Sequence, residues 1–189
     1  MSEATFNILG IDPGTSTTGY SLLIVRMSDL SIAHARGWTI DASKRVNPED
    51  YTSELYGSRF LKVAEHGRLF RKYLRQYNPL IVVSESPFYN PKRPQAFAAL
   101  LEIIMQLKTD LYNWDPWMQL FTIDPSTAKK NLHVSGISSD KELIMNAIKT
   151  NDELKQFDYS HSDEHSADAI SIAYCKLCQI REKQMPVPF

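Results

Sequence analysis

The sequence predicts an α/β protein with a mixed five-stranded sheet, in which three strands are antiparallel and two are parallel, flanked by helices. Three observations support this prediction. Three β-rich runs follow one another near the N-terminus with short links, two later strands each follow a helical segment, and a helix closes the chain. Parallel pairing is expected for the later strands, because parallel neighbours need a crossover connection of a dozen or more residues and the helical segment before each of these strands is long enough to supply one.

The first three strands are predicted at residues 6–12, 20–26 and 31–40. Each run is rich in β-branched and aromatic residues, which favour strands. The second and third runs are joined through Asp29 by a short link, which is typical of an antiparallel meander.

A helix is predicted between Thr52 and Tyr77, where apolar residues recur with a helical period and Asn78-Pro79 ends the pattern. Residues 80–85 (LIVVSE) form the fourth strand and residues 118–123 (MQLFTI) the fifth. A short and a longer helix follow around the Gly136 turn, and the last helix is expected from Ser162 to about Lys183.

The helix between the last two strands, Gln95–Tyr112, begins after Pro94 and is apolar around more of its circumference than one sheet face can cover. The apolar residues concerned are Phe97, Leu100, Leu101, Ile103, Ile104, Met105 and Leu107. This excess predicts a two-fold interface and therefore a homodimer.

Length and composition predict one domain over residues 1–189. Of these residues 43% are hydrophobic and 23% are charged, which is ordinary for a globular protein. No apolar run approaches 18 residues and no basic-then-apolar leader is visible, so a cytoplasmic protein without a membrane segment is expected. Cys175 and Cys178 are the two cysteines and lie in a helical segment, where reduced structural thiols are expected.

Acidic residues are predicted at one edge of the sheet. Asp12 ends the first strand and Glu85 the fourth, so parallel neighbours would bring both carboxylates to the edge where ligands of α/β sheets bind. On the last helix His165 and Asp168 share a face, as do Glu164 and Asp168. Close carboxylates repel unless a cation lies between them, which indicates a Mg²⁺ or Mn²⁺ site. For Asp12 alone, a role in the Asp-Pro-Gly turn is an equal alternative.

Basic and aromatic residues suggest where a polyanion would bind, although the formal net charge of −1 argues against a general polyanion binder. Pro87 to Arg93 form a loop with two aromatic and two basic side chains, Phe88, Tyr89, Lys92 and Arg93, an inventory suited to wedging between bases. A second cluster comprises Lys129, Lys130 and Lys141. A third, at Arg68, Arg71, Lys72 and Arg75, is explained by a solvated helix face.

Three segments together resemble the signature segments of the RuvC-type Holliday-junction resolvases of the RNase H-like nuclease superfamily: ILGIDPGTSTTGYS, VVSESPF and SDEHSADAISIAYCKL. The resemblance follows the same order along nearly the whole chain. It implies an RNase H-like fold and a homodimeric crossover junction endonuclease. Such an enzyme would cleave four-way or other branched DNA with two Mg²⁺ or Mn²⁺ ions per active site.

Carried over position by position, the resemblance makes Asp12, Glu85 and Asp168 metal ligands and catalytic residues. His165 stands where many members have a further Asp, so the fourth ligand is His165 or Glu164. The resemblance also implies that Phe88 contacts bases at the junction point. Lys129 or Lys130, together with Lys141, would contact phosphates near the cleaved bond, and Lys141 or His165 could assist proton transfer.

Three other functions are compatible with parts of the sequence. A broader nuclease of the same fold, trimming branched DNA or structured RNA, would use every residue named above. A DNA-binding module without catalysis would follow if His165 prevented metal binding. An actin-like or sugar-kinase-like ATPase would need further glycine-rich loops, for which the seven glycines leave no candidate, so no nucleotide cofactor is expected.

Overall fold

The computed structural model describes residues 3–87, 89, 91, 94–134 and 141–183. The strands are β1 (Thr5–Asp12), β2 (Thr17–Arg26), β3 (Ile32–Asp41), β4 (Ile81–Glu85) and β5 (Leu120–Ile123). The helices are α1 (Tyr51–Tyr77), α2 (Pro94–Trp114), α3 (Pro125–Asn131), α4 (Lys141–Thr150) and α5 (Glu164–Lys183), with a short 3₁₀ helix at Ala42–Lys44.

The five strands form one sheet in the order β3-β2-β1-β4-β5. Strand β1 pairs antiparallel with β2, and β2 pairs antiparallel with β3. On the other side β1 pairs parallel with β4, and β4 pairs parallel with β5. The predicted mixed sheet is therefore confirmed. Because Ile11 is opposite Ser84, the residues that follow them, Asp12 and Glu85, lie at the same edge.

Both faces of the sheet are covered, which explains the continuous apolar runs in its central strands. Ile8 of β1 packs into a core that includes residues of α3, α4 and α5. Leu9 and Ile11 face the opposite side, where the core includes residues of α1 and α2. All three β1 side chains are fully buried, so the first strand has no solvated face.

Helix α1 begins one residue before its predicted start and contains a break. The Asp50 side chain caps it by accepting from the Thr52 N–H at 3.2 Å. Gly57 interrupts the helix with φ of 77°, a conformation that glycine adopts without strain. The helix ends at Asn78, which is left-handed with φ of 39°, in agreement with the predicted stop.

Helix α5 begins two residues later than predicted. Asp163 acts as its cap, because its Oδ1 accepts from the Ser166 N–H at 3.0 Å and the Ser166 hydroxyl in turn accepts from the Asp163 N–H at 2.8 Å. Cys175 and Cys178 of this helix are free thiols, and burial raises the pKa of the Cys175 thiol to about 11. Reduced cysteines were expected there.

The backbone of α5 lies unusually close to the sheet, because glycine occupies the strand positions beneath it. A Cβ atom at Gly19 would overlap the His165 carbonyl group, and one at Gly10 would overlap the Ala169 carbonyl oxygen. The gap is also bridged directly, since the Ser21 hydroxyl donates to the Ala169 carbonyl at 2.7 Å. This close approach sets the height at which the side chains of α5 meet the end of β1.

Within the described ranges, no helix is long and apolar enough to cross a membrane.

Candidate active site

Asp12, the last residue of β1, contacts the last helix and not the turn that follows it. The turn is closed by Thr18, whose hydroxyl accepts from the Gly14 N–H at 3.3 Å and lies 3.1 Å from the Gly14 carbonyl oxygen. The Asp12 Oδ2 atom accepts from the imidazole Nδ1 of His165 at 3.1 Å. Of the two roles that the sequence left open for Asp12, the structure therefore favours membership of a site over capping the turn.

His66 supports this turn from the other side of the sheet. It lies on α1, is 1% exposed, and donates from Nε2 to the Thr15 carbonyl at 3.1 Å. Its Nδ1 is 3.3 Å from the Thr18 hydroxyl, and burial lowers its pKa, so the ring is neutral. His66 was not among the residues predicted from the sequence, although its position between Val63 and Phe70 on the apolar face of α1 could have indicated a buried imidazole.

Glu85 ends β4 beside Asp12, as the parallel pairing of β1 and β4 requires. Burial, and then the negative charge of Asp12, raise the pKa of Glu85 to about 9. A hydrogen bond between the two carboxyl groups contributes in the same direction, so this arrangement favours the protonated form of Glu85.

Asp168 reaches the same place from α5. Burial, and then the charge of Asp12, raise the pKa of Asp168 to about 7, while the positive charge of Lys129 opposes the increase. Glu85, Lys129 and Asp168 line one small crevice between β4, α3 and α5. Lys130 is exposed and lies near Asp124. The structure therefore places Lys129, and not Lys130, beside the acidic residues.

His165 lies between Asp12 and Glu164. Its Nδ1 faces Asp12, and its Nε2 is 3.7 Å from the Glu164 Oε1. The hydrogen bond to Asp12 raises the pKa of His165, and the charge of Glu164 adds to this effect. Of His165 and Glu164, His165 is therefore the residue that contacts Asp12 directly, and Glu164 lies on the other side of the imidazole ring.

The donor atoms of this cluster suit a hard divalent cation, because three carboxylates and one imidazole supply mostly oxygen. Among the described residues, no group of three or more His, Cys, Asp or Glu side chains already has its ligand atoms placed to hold an ion. Asp12 is instead hydrogen-bonded to His165 and Glu85. A cation would relieve the repulsion that raises the pKa of Glu85 and Asp168, so the donor set fits such an ion once these side chains turn toward it.

Of the remaining predicted site residues, Tyr89 is the one whose side chain the structure describes. Tyr89 is 54% exposed, and its ring meets Phe97 edge to face at 5.3 Å between centroids. Phe88, Lys92 and Arg93 lie outside the described residues, as does the side chain of Lys141 at the start of α4. Their predicted roles stay predictions.

Comparison with known proteins identifies the fold. No family model and no curated protein sequence matches the chain. Among solved structures, it is similar to Thermus thermophilus RuvC, with 18% identity, a TM-score of 0.68, and 94% of this chain and 96% of that chain covered. The chain therefore has the RNase H-like fold of this resolvase.

Two further solved structures support the same conclusion. The yeast mitochondrial Holliday junction resolvase Ydc2 is 16% identical with a TM-score of 0.59, covering 96% of this chain and 83% of that one. The Fowlpox virus resolvase, solved with substrate Holliday junction DNA, is 14% identical with a TM-score of 0.54, covering 92% and 98%. At these identities the likeness concerns the fold, which is the one that the sequence resemblance implied.

The contacts of His165 lead to a graded prediction for three substitutions. For the cleavage of branched DNA that the sequence resemblance implies, His165→Ala should lower the rate at least about tenfold, because it removes the group that holds Asp12 in place. His165→Asp should retain much of the activity, and Glu164→Gln should change it little. Initial rates measured on one junction substrate would test this order. A large loss from Glu164→Gln with near-normal His165→Ala would reverse the assignment.

Proposed function

We propose that this protein is a metal-dependent endonuclease that cleaves four-way (Holliday) junctions or other branched DNA. The observation that carries the proposal is the convergence of Asp12, Glu85 and Asp168, from two strands and a helix, on one place at the sheet edge. Burial and mutual repulsion raise the pKa of Glu85 and Asp168, which is typical of a site built for a cation or for catalysis. The fold shared with three solved resolvases supports the same function.

In this proposal Asp12, Glu85 and Asp168 hold Mg²⁺ or Mn²⁺, two ions per site, and His165 is the fourth ligand. Bound divalent ions supply a nucleophilic water and neutralise charge on the phosphate. The protein fixes the ligands in space: β1 and β4 place two carboxylates side by side, and α5 brings the third from above.

Positive charge beside the acids would position the DNA strand. Lys129, in the crevice with Glu85 and Asp168, is placed to hold the phosphate that is cleaved. Lys130 and Lys141 would contact neighbouring phosphates. Phe88, with Tyr89, Lys92 and Arg93, would engage bases and backbone at the branch point, and the exposure of Tyr89 is compatible with stacking.

A substrate panel tests the proposal and distinguishes it from a broader nuclease. Cleavage of a synthetic four-way junction would be compared with that of flaps, forks, linear duplex and RNA hairpins, each with Mg²⁺ and with chelator. The proposal expects the junction to be cleaved fastest and cleavage to stop with chelator. Equal cleavage of RNA hairpins would favour the broader nuclease, and metal-independent cleavage would contradict the mechanism.

The proposed nuclease is a homodimer, because two active sites are needed to cut opposing strands of a near-symmetric junction. Ile103, Ile104 and Leu107 of α2 are buried against the sheet and α1, whereas Leu101 is 40% and Met105 59% exposed. One apolar stripe of α2 thus lacks cover from the residues that the structure describes.

Light scattering is expected to give about twice the mass of the 21.6 kDa chain. Met105→Glu, which places a charge in the exposed stripe, should shift the protein toward the monomer. Lys149→Glu, a charge change at an exposed position of α4, serves as a control for a general charge effect. A monomer at micromolar concentration, with and without DNA, would contradict the dimer.

A further inference from the structure

A cavity lies along the edge of the sheet formed by β3, two strands away from Asp12 on β1. It has a volume of about 430 Å³ and lies between β3, α1 and the loop that precedes α5. Its lining includes Arg36 and Trp38 from β3, Lys72 and Tyr77 from α1, and His161 from the loop. We call it the edge cavity.

Arg36 is the central residue of the edge cavity. Its guanidinium lies over two aromatic rings, 4.8 Å from the centroid of Tyr77 and 5.4 Å from that of Trp38. Within the described ranges it has no ion pair with a carboxylate, and its buried Nε has no hydrogen-bond partner. A buried donor without an acceptor is costly, so this N–H is suited to an acceptor that arrives from outside. The planar guanidinium matches phosphate oxygens in particular.

The charges around Arg36 point to the same ligand. Of the four cations between Arg68 and Arg75 on α1, Arg68 pairs with Glu65 and Arg71 with Asp110. Lys72 is exposed and has no ion pair with any residue that the structure describes. Asp158 also lines the cavity, but its carboxylate already accepts from the Ser160 N–H at 2.8 Å and the Ser160 hydroxyl at 3.1 Å. The cavity therefore offers a net positive charge.

The sheet register fixes how far the edge cavity is from the acidic cluster. Trp38 is opposite Tyr20, and Tyr20 is opposite Ile11, the neighbour of Asp12. Arg36 lies two residues before Trp38, opposite Leu22, which is opposite Leu9. Two strand spacings across the sheet and three residue rises along β1 therefore separate the Cα atoms of Arg36 and Asp12 by about 14 Å, a distance that roughly two to four nucleotides of a DNA strand span. The loop that lines the cavity continues directly into α5, and its Asp163 accepts a hydrogen bond from Thr39 beside the site.

We propose that the edge cavity binds a backbone phosphate of the DNA substrate about three nucleotides from the cleaved bond, through Arg36 and Lys72. This inference rests on the proposed nuclease function. The two rings under Arg36 hold the guanidinium in position, and Lys72 adds an exposed positive charge to the lining. A free phosphate or mononucleotide offers the same chemistry, so the test must separate these ligands from DNA.

The test combines protein variants with chemically neutralised DNA. Binding of a four-way junction is measured by fluorescence anisotropy for the unmodified protein, Arg36→Gln and Lys72→Gln. Each of the first two to four phosphates beside the cleavage position is replaced in turn by a neutral methylphosphonate. Arg75→Gln is the matched control, because Arg75 is an exposed cation one turn further along α1 and does not line the cavity.

Each variant of the cavity is expected to weaken junction binding roughly tenfold, as for one charged hydrogen bond. The slope of log affinity against log salt should fall in magnitude by about 0.9, as for one lost phosphate contact. A methylphosphonate at one of these positions should weaken junction binding by the unmodified protein to a similar extent. The same methylphosphonate should cause no further loss of binding in Arg36→Gln. Arg75→Gln should respond to that methylphosphonate as the unmodified protein does. Thermal unfolding checks that each variant is folded. If Arg36→Gln does not fold, Lys72→Gln still tests the inference.

Several outcomes would overturn the inference. The losses in affinity caused by Arg36→Gln and by a methylphosphonate could prove additive at every phosphate position, or the salt slope could be unchanged in both cavity variants. Either result would show that no phosphate binds in the edge cavity. Millimolar phosphate or mononucleotide could raise the unfolding temperature of the unmodified protein but not of Arg36→Gln. If no methylphosphonate then affected junction binding, the cavity would be assigned to a small ligand. Normal junction cleavage with unchanged affinity in Arg36→Gln contradicts this inference alone, whereas no DNA binding by the unmodified protein contradicts the proposed function as well.

Discussion

Asp12→Asn is expected to reduce junction cleavage by roughly a thousandfold while leaving junction binding largely intact. The Asp12 carboxylate is the member of the cluster that contacts both His165 and Glu85, and its charge also acts on Asp168. The amide removes that charge at nearly constant volume, so the site loses its central anionic ligand. DNA binding should persist, because lysines and backbone groups hold the phosphates.

Cleavage rates under single-turnover conditions, together with junction binding measured in chelator, separate the two effects. Asp152→Asn is a suitable control, because this carboxylate is 92% exposed and pairs with Lys155, away from the site. It should cleave as the unmodified protein does. Retained cleavage by pure Asp12→Asn protein would contradict the assignment of the active site.

The sequence predicted the sheet well because its signals are local. Strands ending in Asp12 and Glu85, and the helical period ending at Asn78, depend on residue patterns that the surrounding structure does not override. The bounds were less certain: β2 begins at Thr17, three residues before its predicted start, and α5 begins at Glu164 because Asp163 caps it. Such shifts depend on single hydrogen bonds that periodicity does not reveal.

Sequence patterns could bring Asp12 and Glu85 to one edge of the sheet, but they could not predict the contacts that these residues make. Sequence spacing could place His165 and Asp168 on one face of α5, but not predict that His165 would bond to Asp12. It also could not decide between Lys129 and Lys130, since adjacent helical residues diverge by about 100° and the phase of a seven-residue helix depends on its packing. His66 was missed because its role depends on a turn 48 to 51 residues away in the sequence.

The edge cavity illustrates the same limit. Arg36, Trp38, Lys72 and Tyr77 come from distant segments, and no motif joins them in the sequence. The basic run on α1 was explained as a solvated face, and the structure divides it. Arg68 and Arg71 are paired with carboxylates, whereas Lys72 faces the cavity. Pairing between elements, and not composition, decides which cations are available to a ligand.

The glycines beneath α5 lead to the second large expected effect, on stability and activity together. Gly19→Ala should lower the free energy of unfolding by about 2 to 3 kcal/mol, because the new methyl group would overlap the backbone carbonyl of His165 and neither chain segment can yield easily. The helix must move outward at the turn that carries His165. A displacement of about 1 Å at such a site can reduce the rate of cleavage roughly a hundredfold.

Chemical denaturation and cleavage rates on the same preparation test this prediction, with Gly57→Ala as the control. A Cβ at Gly57 would meet nothing within 4 Å, but its φ of 77° makes alanine strained there, so Gly57→Ala should cost about 1 kcal/mol of stability. It should leave the rate of cleavage by folded protein unchanged, because Gly57 lies in the first part of α1 and does not support α5. If Gly19→Ala kept full activity, the close approach of α5 to β2 would not be what positions His165 over Asp12.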